Sequence, residues 1–229
     1  MIDRTPVSQA AARKLQQMIH DDTFAADEKL PSQRVLAERL GISRPSLREA
    51  LLTLETLGQV RTFPGRGTFV TKNGARRVSD NPDWRYGEEH SIQSVFEVRI
   101  LLEARLARHA AAHATLDDIQ ALAEFTDRME RAWAVQDLIE NVEADLAFHR
   151  RIAAKTPNTL LAQTYDHVAA LLSETQRQPI PFTREERMSE SIAEHRRIIA
   201  ALDQRDPEAA ERAMADHIRN TAACAGITV

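Results

Sequence analysis

The sequence predicts a mostly α-helical chain in two parts, the first of which includes a short β-hairpin. Apolar residues recur at helical spacing along most of the 229 residues, and strict alternation replaces that spacing only near residues 59–70. Aromatic residues make up only 5% of the chain, whereas Ala and Leu are abundant. This composition also favours helix.

The composition indicates a cytoplasmic protein without membrane contact. No run of about 18 apolar residues is present, so no transmembrane helix is expected. The first 15 residues lack the apolar core of a secretory signal. Cys224 is the single cysteine, so no disulfide within one chain is possible, which fits a reducing compartment.

Charge is distributed unevenly along the chain. Residues 1–78 contain 13 basic and 8 acidic side chains, a net charge of +5, and the remainder carries −9. A basic module joined to an acidic one is typical of a nucleic-acid-binding protein with a separate regulatory domain. Taken alone, the asymmetry is equally compatible with chance differences between solvated faces.

Three helices are predicted at the N-terminal end. The first covers 7–21, and the second begins after Ser32 and ends at Gly41. Ser43 caps the third, whose leucine stripe ends before Gly58. Serine before a helix accepts a backbone N–H, and glycine after it adopts the left-handed conformation that ends the helix.

A hairpin follows the third helix. Residues 59–63 and 68–70 alternate about the turn 64–67, which contains proline and two glycines. Three helices followed by a hairpin within about 70 residues is the plan of a winged helix-turn-helix.

The rest of the chain is predicted to be a linker and then an all-helical domain. The predicted domains are 1–74 for DNA binding, 75–90 for the polar linker, and 91–229 for effector binding and dimerisation. The last domain is expected to contain helices at 91–113, 115–135, 137–155, 158–175, 183–203 and 206–224.

The third helix carries the candidate DNA-reading side chains. Arg44 and Arg48 are one turn apart, opposite the leucine stripe, and an arginine in such a position can pair with guanine through two hydrogen bonds. Ser43 and Ser46 stand at the helix start, where hydroxyls and free N–H groups suit phosphates. The alternative is that both arginines are merely solvated.

Two further arginines stand where this architecture faces DNA. Arg34 is early in the second helix, and Arg66 lies between two glycines at the tip of the hairpin. Arg66 is expected to reach the minor groove or the DNA backbone. Four basic residues placed in this way favour DNA binding over simple solvation.

Three histidines and one aspartate interrupt apolar helix faces in the C-terminal part. Asp145 and His149 share a face in one helix, and His195 and His217 lie on the inward faces of two others. Burying these groups without partners is costly. Three nitrogens and one oxygen suit Zn²⁺, Ni²⁺, Mn²⁺ or Fe²⁺. A polar cavity without metal explains the pattern equally well.

The segment from Leu30 to Gly58, together with Gly65–Val70, resembles the GntR family of bacterial regulators. The resemblance implies that Arg34, Arg44 and Arg48 read bases or phosphates and that Gly65 and Arg66 act at the wing tip. Gln33 departs from the family pattern, in which many members carry an acid.

The C-terminal segments that contain Asp145, His149, His195 and His217 resemble the ligand-binding FCD domain of the FadR subfamily. The resemblance implies an antiparallel bundle of six or seven helices in which these four residues hold a divalent cation. It also favours a small organic acid over an acyl thioester as effector.

The segment 96–103 matches a family motif that places an arginine beside the effector, so Arg99 is the candidate carboxylate clamp. An ion pair with Glu103, one turn on, is the equal alternative.

The function expected from the sequence is that of a homodimeric repressor that binds double-stranded operator DNA and responds to a small carboxylate at a metal site, zinc being the first candidate. The alternative is a metal-dependent hydrolase with an accessory DNA-binding module. Against that alternative, the sequence contains no convincing general base and no nucleophile motif.

Overall fold

The computed structural model describes residues 6–71 and 89–229. The chain divides into two compact units, Met1–Pro82 and Asp83–Val229. Both are helical apart from a small two-stranded sheet, so the predicted mostly α fold class is confirmed. The domain ranges 1–74, 75–90 and 91–229 stay predictions, because most of the expected linker lies outside the described residues.

The first unit contains the three predicted helices, α1 (Val7–His20), α2 (Gln33–Leu40) and α3 (Arg44–Thr56). The Ser32 hydroxyl accepts the Val35 N–H, as predicted for a cap, and Gly41 ends α2 with a φ of +66°. The helices bury their apolar faces against one another, and the fully buried side chains are Ala12, Leu15, Leu36, Leu47, Ala50 and Leu54.

The predicted hairpin consists of β1 (Val60–Phe63) and β2 (Gly67–Val70), paired antiparallel so that the first residue of β1 faces the last of β2. A bridge between Lys29 and Phe69 adds a third segment, and Leu30 N–H donates to the Thr68 carbonyl at 2.8 Å. No strand was predicted between the first two helices. A bridge of one residue has no alternation that a sequence pattern could reveal.

The second unit contains six long helices among its described residues, and their limits lie within two residues of the predicted ones. A short 3-10 helix, Ile180–Phe182, was not predicted. The helices are α4 (Ile92–His113), α5 (Leu116–Ala134), α6 (Leu138–Ala153), α7 (Thr159–Arg177), α8 (Glu185–Asp203) and α9 (Pro207–Cys224).

The core of the second unit lies where α4 packs along α9 and α5 packs against α6 and α8. Phe96, Leu122, Phe148, Ile198 and Met214 belong to one buried cluster. Burial of side chains this large supplies most of the stabilisation of a helical bundle. The same packing turns the inner faces of α6, α8 and α9 toward a common centre.

Among the described residues, every helix lacks the long apolar stretch that a membrane span requires.

Candidate nucleic-acid interface and metal centre

Helix α3 presents two arginines on its exposed face. Ser43 accepts the Ser46 N–H at 3.2 Å, and the two hydroxyl oxygens are 2.8 Å apart, so the predicted cap is present. Leu47 is fully buried, whereas Arg44 and Arg48 are exposed. Within residues 6–71 and 89–229 neither arginine forms an ion pair, so both guanidinium groups are available to a partner.

Arg34 projects from the exposed face of α2. Its Nη1 lies 2.8 Å from Glu38 Oε1, and its side chain is 68% exposed. An exposed pair of this kind contributes about 0.5 kcal/mol or less. A phosphate group could therefore replace the glutamate at little cost.

The tip of the hairpin holds the fourth arginine, Arg66, in a defined position. Gly65 has a φ of +72°, a conformation that other residues rarely adopt, and its absent side chain would meet open space. The exposed Arg66 guanidinium lies 5.3 Å from the ring centre of Phe63 and 6.0 Å from that of Phe69. These stacking contacts keep the guanidinium at the tip of the wing.

The four predicted metal ligands come together in the second unit. Asp145 and His149 lie on α6, His195 on α8 and His217 on α9, and their ligand atoms all lie within 4.8 Å of one another. Asp145 Oδ1 is 3.0 Å from His195 Nε2 and 3.6 Å from His149 Nε2. Ligand atoms about 2.1 Å from a shared ion lie roughly 3–4 Å apart. The residues present therefore fit a divalent metal.

Two of the histidines use Nδ1 for a protein partner and leave Nε2 toward the centre. His195 Nδ1 donates to the Ser191 carbonyl at 2.8 Å. His149 Nδ1 contacts the carboxylate of Glu103. Partners of this kind select the tautomer and the ring orientation of metal-ligating histidines.

The third histidine is held by a network on α8 and α9. His217 Nδ1 donates to Glu194 Oε2 at 2.8 Å. Glu194 also accepts from Arg187 Nη1 at 3.0 Å, from Arg187 Nη2 at 2.7 Å and from Asn220 Nδ2 at 2.8 Å. The glutamate is thus fixed from three sides, which orients the imidazole.

The electrostatics of the cluster prepare its ligands for a cation. Burial would raise the pKa of Asp145, but His149 and His195 outweigh it and hold that pKa well below the usual range. Burial, then the neighbouring His195, lowers the pKa of His217 to about 3. Burial would lower the pKa of His149, but Glu103 and Asp145 raise it to about 9. A metal ion would take the place of that proton on His149.

Arg99 forms the ion pair that the sequence analysis left open, and it keeps one donor without a protein partner. Its fully buried side chain donates from Nε to Glu103 Oε1 at 2.8 Å, so the ion pair exists. Its Nη2 is 3.4 Å from His149 Nε2, and its Nη1 has no hydrogen-bond partner among the described residues. A buried donor without an acceptor is costly and indicates a place for a ligand.

A cavity of about 40 Å³ opens beside the cluster. The side chains around it include Arg99, Asp145, Gln176, Arg187, His217 and Cys224.

Three polar side chains of this site were not predicted from the sequence. Glu194 stands one residue from the predicted ligand His195, off its inward face, so helical periodicity gave no sign of burial. Arg187 lies in a charged first turn of α8, and Gln176 in the polar run at the end of α7. The one sequence signal available was that Glu194 stands next to the predicted metal ligand His195.

Comparison with known families assigns both units. Residues 7–70 match the family described as "Bacterial regulatory proteins, gntR family", and residues 94–220 match the FCD domain. The second match alone covers more than half of the chain.

Two relatives match over nearly the whole length of the chain. The "Glc operon transcriptional activator" of Escherichia coli (strain K12) is 30% identical over 225 residues, which cover 95% of this chain and 88% of the relative. The "HTH-type transcriptional repressor NanR" of Citrobacter rodentium (strain ICC168) is 30% identical over 226 residues, covering 96% and 85%.

A solved GntR structure from Rhodococcus sp. RHA1 shares the fold. It is 20% identical to this chain with a TM-score of 0.56, over 97% of this chain and 99% of that one. The matching relatives are regulators and not enzymes, so the hydrolase alternative is set aside. The chain is therefore a transcriptional regulator of the gntR family that carries an FCD domain.

Proposed function

We propose that this regulator binds operator DNA as a homodimer and represses transcription until a small carboxylic acid binds at a divalent-metal site in its FCD domain. The observation that carries the sensing part is the unpartnered, buried Nη1 of Arg99, a residue that lines the cavity together with Asp145 and His217. An unsatisfied buried donor costs about 1–3 kcal/mol, and a carboxylate oxygen would remove that cost.

The exposed face of α3 is proposed to enter the major groove. Arg44 and Arg48 would each donate two hydrogen bonds to a guanine, which supplies sequence preference. Ser43, Ser46 and Arg34 would contact phosphates, which supply affinity and register but no sequence information. Their exposure and the absence of competing ion pairs at Arg44 and Arg48 within the described chain support this assignment.

The wing and a second subunit complete the proposed complex. Gly65 and Arg66 would reach the minor groove or the adjacent backbone, where narrow grooves attract guanidinium groups. Two recognition helices related by a two-fold axis would read the two halves of a pseudo-palindromic operator, one turn of DNA apart.

The proposed metal is zinc, with nickel, manganese or iron as alternatives of the same ligand chemistry. When bound, the ion supplies positive charge and an open coordination position for a carboxylate oxygen. Glu103, Ser191 and Glu194 orient the three histidines. Arg99 would donate to the same carboxylate from Nη1, while its Nε donates to Glu103.

Control of DNA binding follows if the acid prefers one conformation of the FCD domain. The ligand can shift the equilibrium only by its difference in affinity for the two conformations. A tenfold change in operator affinity needs about 1.4 kcal/mol of coupling. One relative is called an activator and the other a repressor, so a promoter fusion in cells must test the sign of regulation directly.

The test begins with the operator, selected from random DNA by the full-length protein loaded with zinc. Fluorescence anisotropy then measures operator affinity with acetate, lactate, gluconate and citrate, each with and without a chelator. We expect one or more acids to raise the operator Kd about tenfold, and the chelator to abolish the effect. Unchanged operator affinity under every acid and metal tried would contradict the sensing role.

A further inference from the structure

Arg99 is not the only residue beside this cavity with an unpartnered donor. Gln176, near the end of α7, lines the same cavity and is only 6% exposed. Its Nε2 has no hydrogen-bond partner within the part of the chain that the structure describes. Two buried donors at one cavity call for a ligand with at least two acceptor groups, since each unsatisfied donor carries its own cost.

The charges around the cavity allow only one carboxylate. Arg99 is matched by Glu103, and Arg187 is matched through two hydrogen bonds by Glu194. A divalent ion held by the Asp145 carboxylate and three neutral imidazoles would give the site a net charge of +1. One carboxylate neutralises this charge, whereas a second would leave a negative charge buried without a partner, which is costly.

The second acceptor is therefore neutral. The Gln176 amide is itself uncharged and suits a hydroxyl or carbonyl oxygen. The cavity of about 40 Å³ is far smaller than the roughly 300–1,000 Å³ of sites for drug-sized ligands, so the ligand has only a few carbon atoms.

We infer that the effector is a short monocarboxylic acid with one hydroxyl or keto oxygen, and that Gln176 is the specificity-determining residue that recognises this oxygen. The inference rests on the proposed function, because it assigns the carboxylate to the metal and Arg99. It excludes polycarboxylates and plain fatty acids as preferred ligands of the same site.

Calorimetry on the full-length, zinc-loaded regulator tests the inference with four acids of similar size: propionate, lactate, 3-hydroxypropionate and malonate. We expect at least one hydroxy acid to bind about tenfold more tightly than propionate, the range expected for one buried hydrogen bond. Malonate should bind more weakly than propionate. Malonate binding most tightly of the four would overturn the charge argument.

A glutamine two residues further along provides the matched control. Gln178 is 1% exposed and also has an unpartnered buried atom, Oε1, but it does not line the cavity. We expect Gln176→Leu to reduce the preference for the hydroxy acid to less than about twofold, and Gln178→Leu to preserve it. Gln176→Met, which keeps the unbranched shape, serves if thermal denaturation shows that the leucine variant does not fold.

The variants also separate Gln176 from the metal as the reader of the hydroxyl. If Gln176→Leu and Gln176→Met keep the full preference, the hydroxyl is read elsewhere and the inference is wrong. If propionate and the hydroxy acids bind wild-type protein equally, the inference fails while the proposed function stands. If no acid binds the zinc-loaded protein at all, the proposed function fails, and the inference fails with it.

Discussion

At the scale of single residues, the candidate metal centre depends on the partners of its proposed ligands as much as on the ligands themselves. Glu194 fixes His217 through Nδ1 and is itself held by Arg187 and Asn220. Glu194→Gln keeps the shape but removes the charge, and we expect zinc affinity to fall about tenfold, as for other partners of metal-ligating histidines. Competition with a zinc-binding dye measures this change.

The control for this variant is Glu190→Gln. Glu190 is a turn away on the same helix, is 69% exposed and contacts the same arginine, Arg187, at 3.4 Å. Its replacement should leave zinc affinity unchanged. Equal zinc affinities for the Glu194 and Glu190 variants would show that the network around His217 does not tune the site.

Arg99 is expected to act on the acid and not on the metal. Arg99→Lys retains a positive charge opposite Glu103 but removes the planar, two-pronged donor that suits a carboxylate. We expect acid affinity to fall about tenfold while zinc affinity stays within about twofold. Calorimetry with the acid and dye competition with zinc provide the two values.

Arg105→Lys is the matched change on the same helix, at a side chain that is 54% exposed. It should leave both affinities unchanged. A parallel loss of zinc and acid affinity in Arg99→Lys would mean that Arg99 supports the fold of the site and does not contact the acid.

At the scale of elements, Asp118 fastens the start of α5 to α6. Its carboxylate accepts from the Thr115 backbone and hydroxyl at 2.8 Å, from Arg151 at 2.7 Å, and contacts Lys155 at 2.8 Å. Asp118→Ala should lower the free energy of unfolding by about 2 kcal/mol. The two cations can return to solvent, but α5 loses the half of its capping box in which the Asp118 carboxylate accepts from Thr115. Urea denaturation at neutral pH measures the loss.

The same contact predicts a pH dependence. Burial would raise the pKa of Asp118, but Lys155 and Thr115 outweigh it and lower that pKa below 3.8. Its contribution to stability is therefore complete above the unfolded value and is lost as the pH falls below about 3.8. The difference between wild type and Asp118→Ala should shrink over that acid range. The control is Asp117→Ala, at an exposed residue of the same turn, which should cost only a few tenths of a kcal/mol. If the stability difference between wild type and Asp118→Ala were the same at every pH, the role assigned to the Asp118 carboxylate would be contradicted.

Helix α3 carries the prediction for DNA binding. Arg44→Ala and Arg48→Ala should each weaken operator binding about ten- to a hundredfold, because each would remove a proposed guanine contact worth about 1–3 kcal/mol. Binding to random DNA should weaken less. Arg219→Ala, at a half-exposed arginine of α9, is the control in an anisotropy assay. Operator recognition that survives replacement of both arginines of α3 would refute this reading of the helix.

Elements and their limits were predictable where a local signal existed. Short-range signals mark the serine caps at Ser32 and Ser43, the left-handed Gly41 and the change from helical spacing to alternation at the hairpin. Each of these features is present in the structure. The pairing of Lys29 with β2 and the short helix 180–182 have no such signal. They depend on contacts between segments that are distant in sequence.

At the scale of the whole molecule, helical periodicity predicted the inward positions of the four candidate metal ligands. It did not predict the hydrogen-bonded residues that hold them. Asp145, His149 and His195 interrupt apolar stripes that must face a core. Glu194 and Gln176 lie in polar runs, and only the packing of the helices shows that they are buried. Periodicity places residues on faces, whereas the contents of a cavity depend on several faces together.

At the centre of the proposed function, operator binding by α3 in the first unit is coupled to acid binding at the cavity of the second unit. Thermodynamic linkage requires that operator DNA alter acid affinity by the same factor as the acid alters operator affinity. The direct measurement is the acid Kd of the zinc-loaded, full-length regulator with and without saturating operator. We expect the operator to weaken acid binding about tenfold; identical acid affinity with and without operator would contradict the claim.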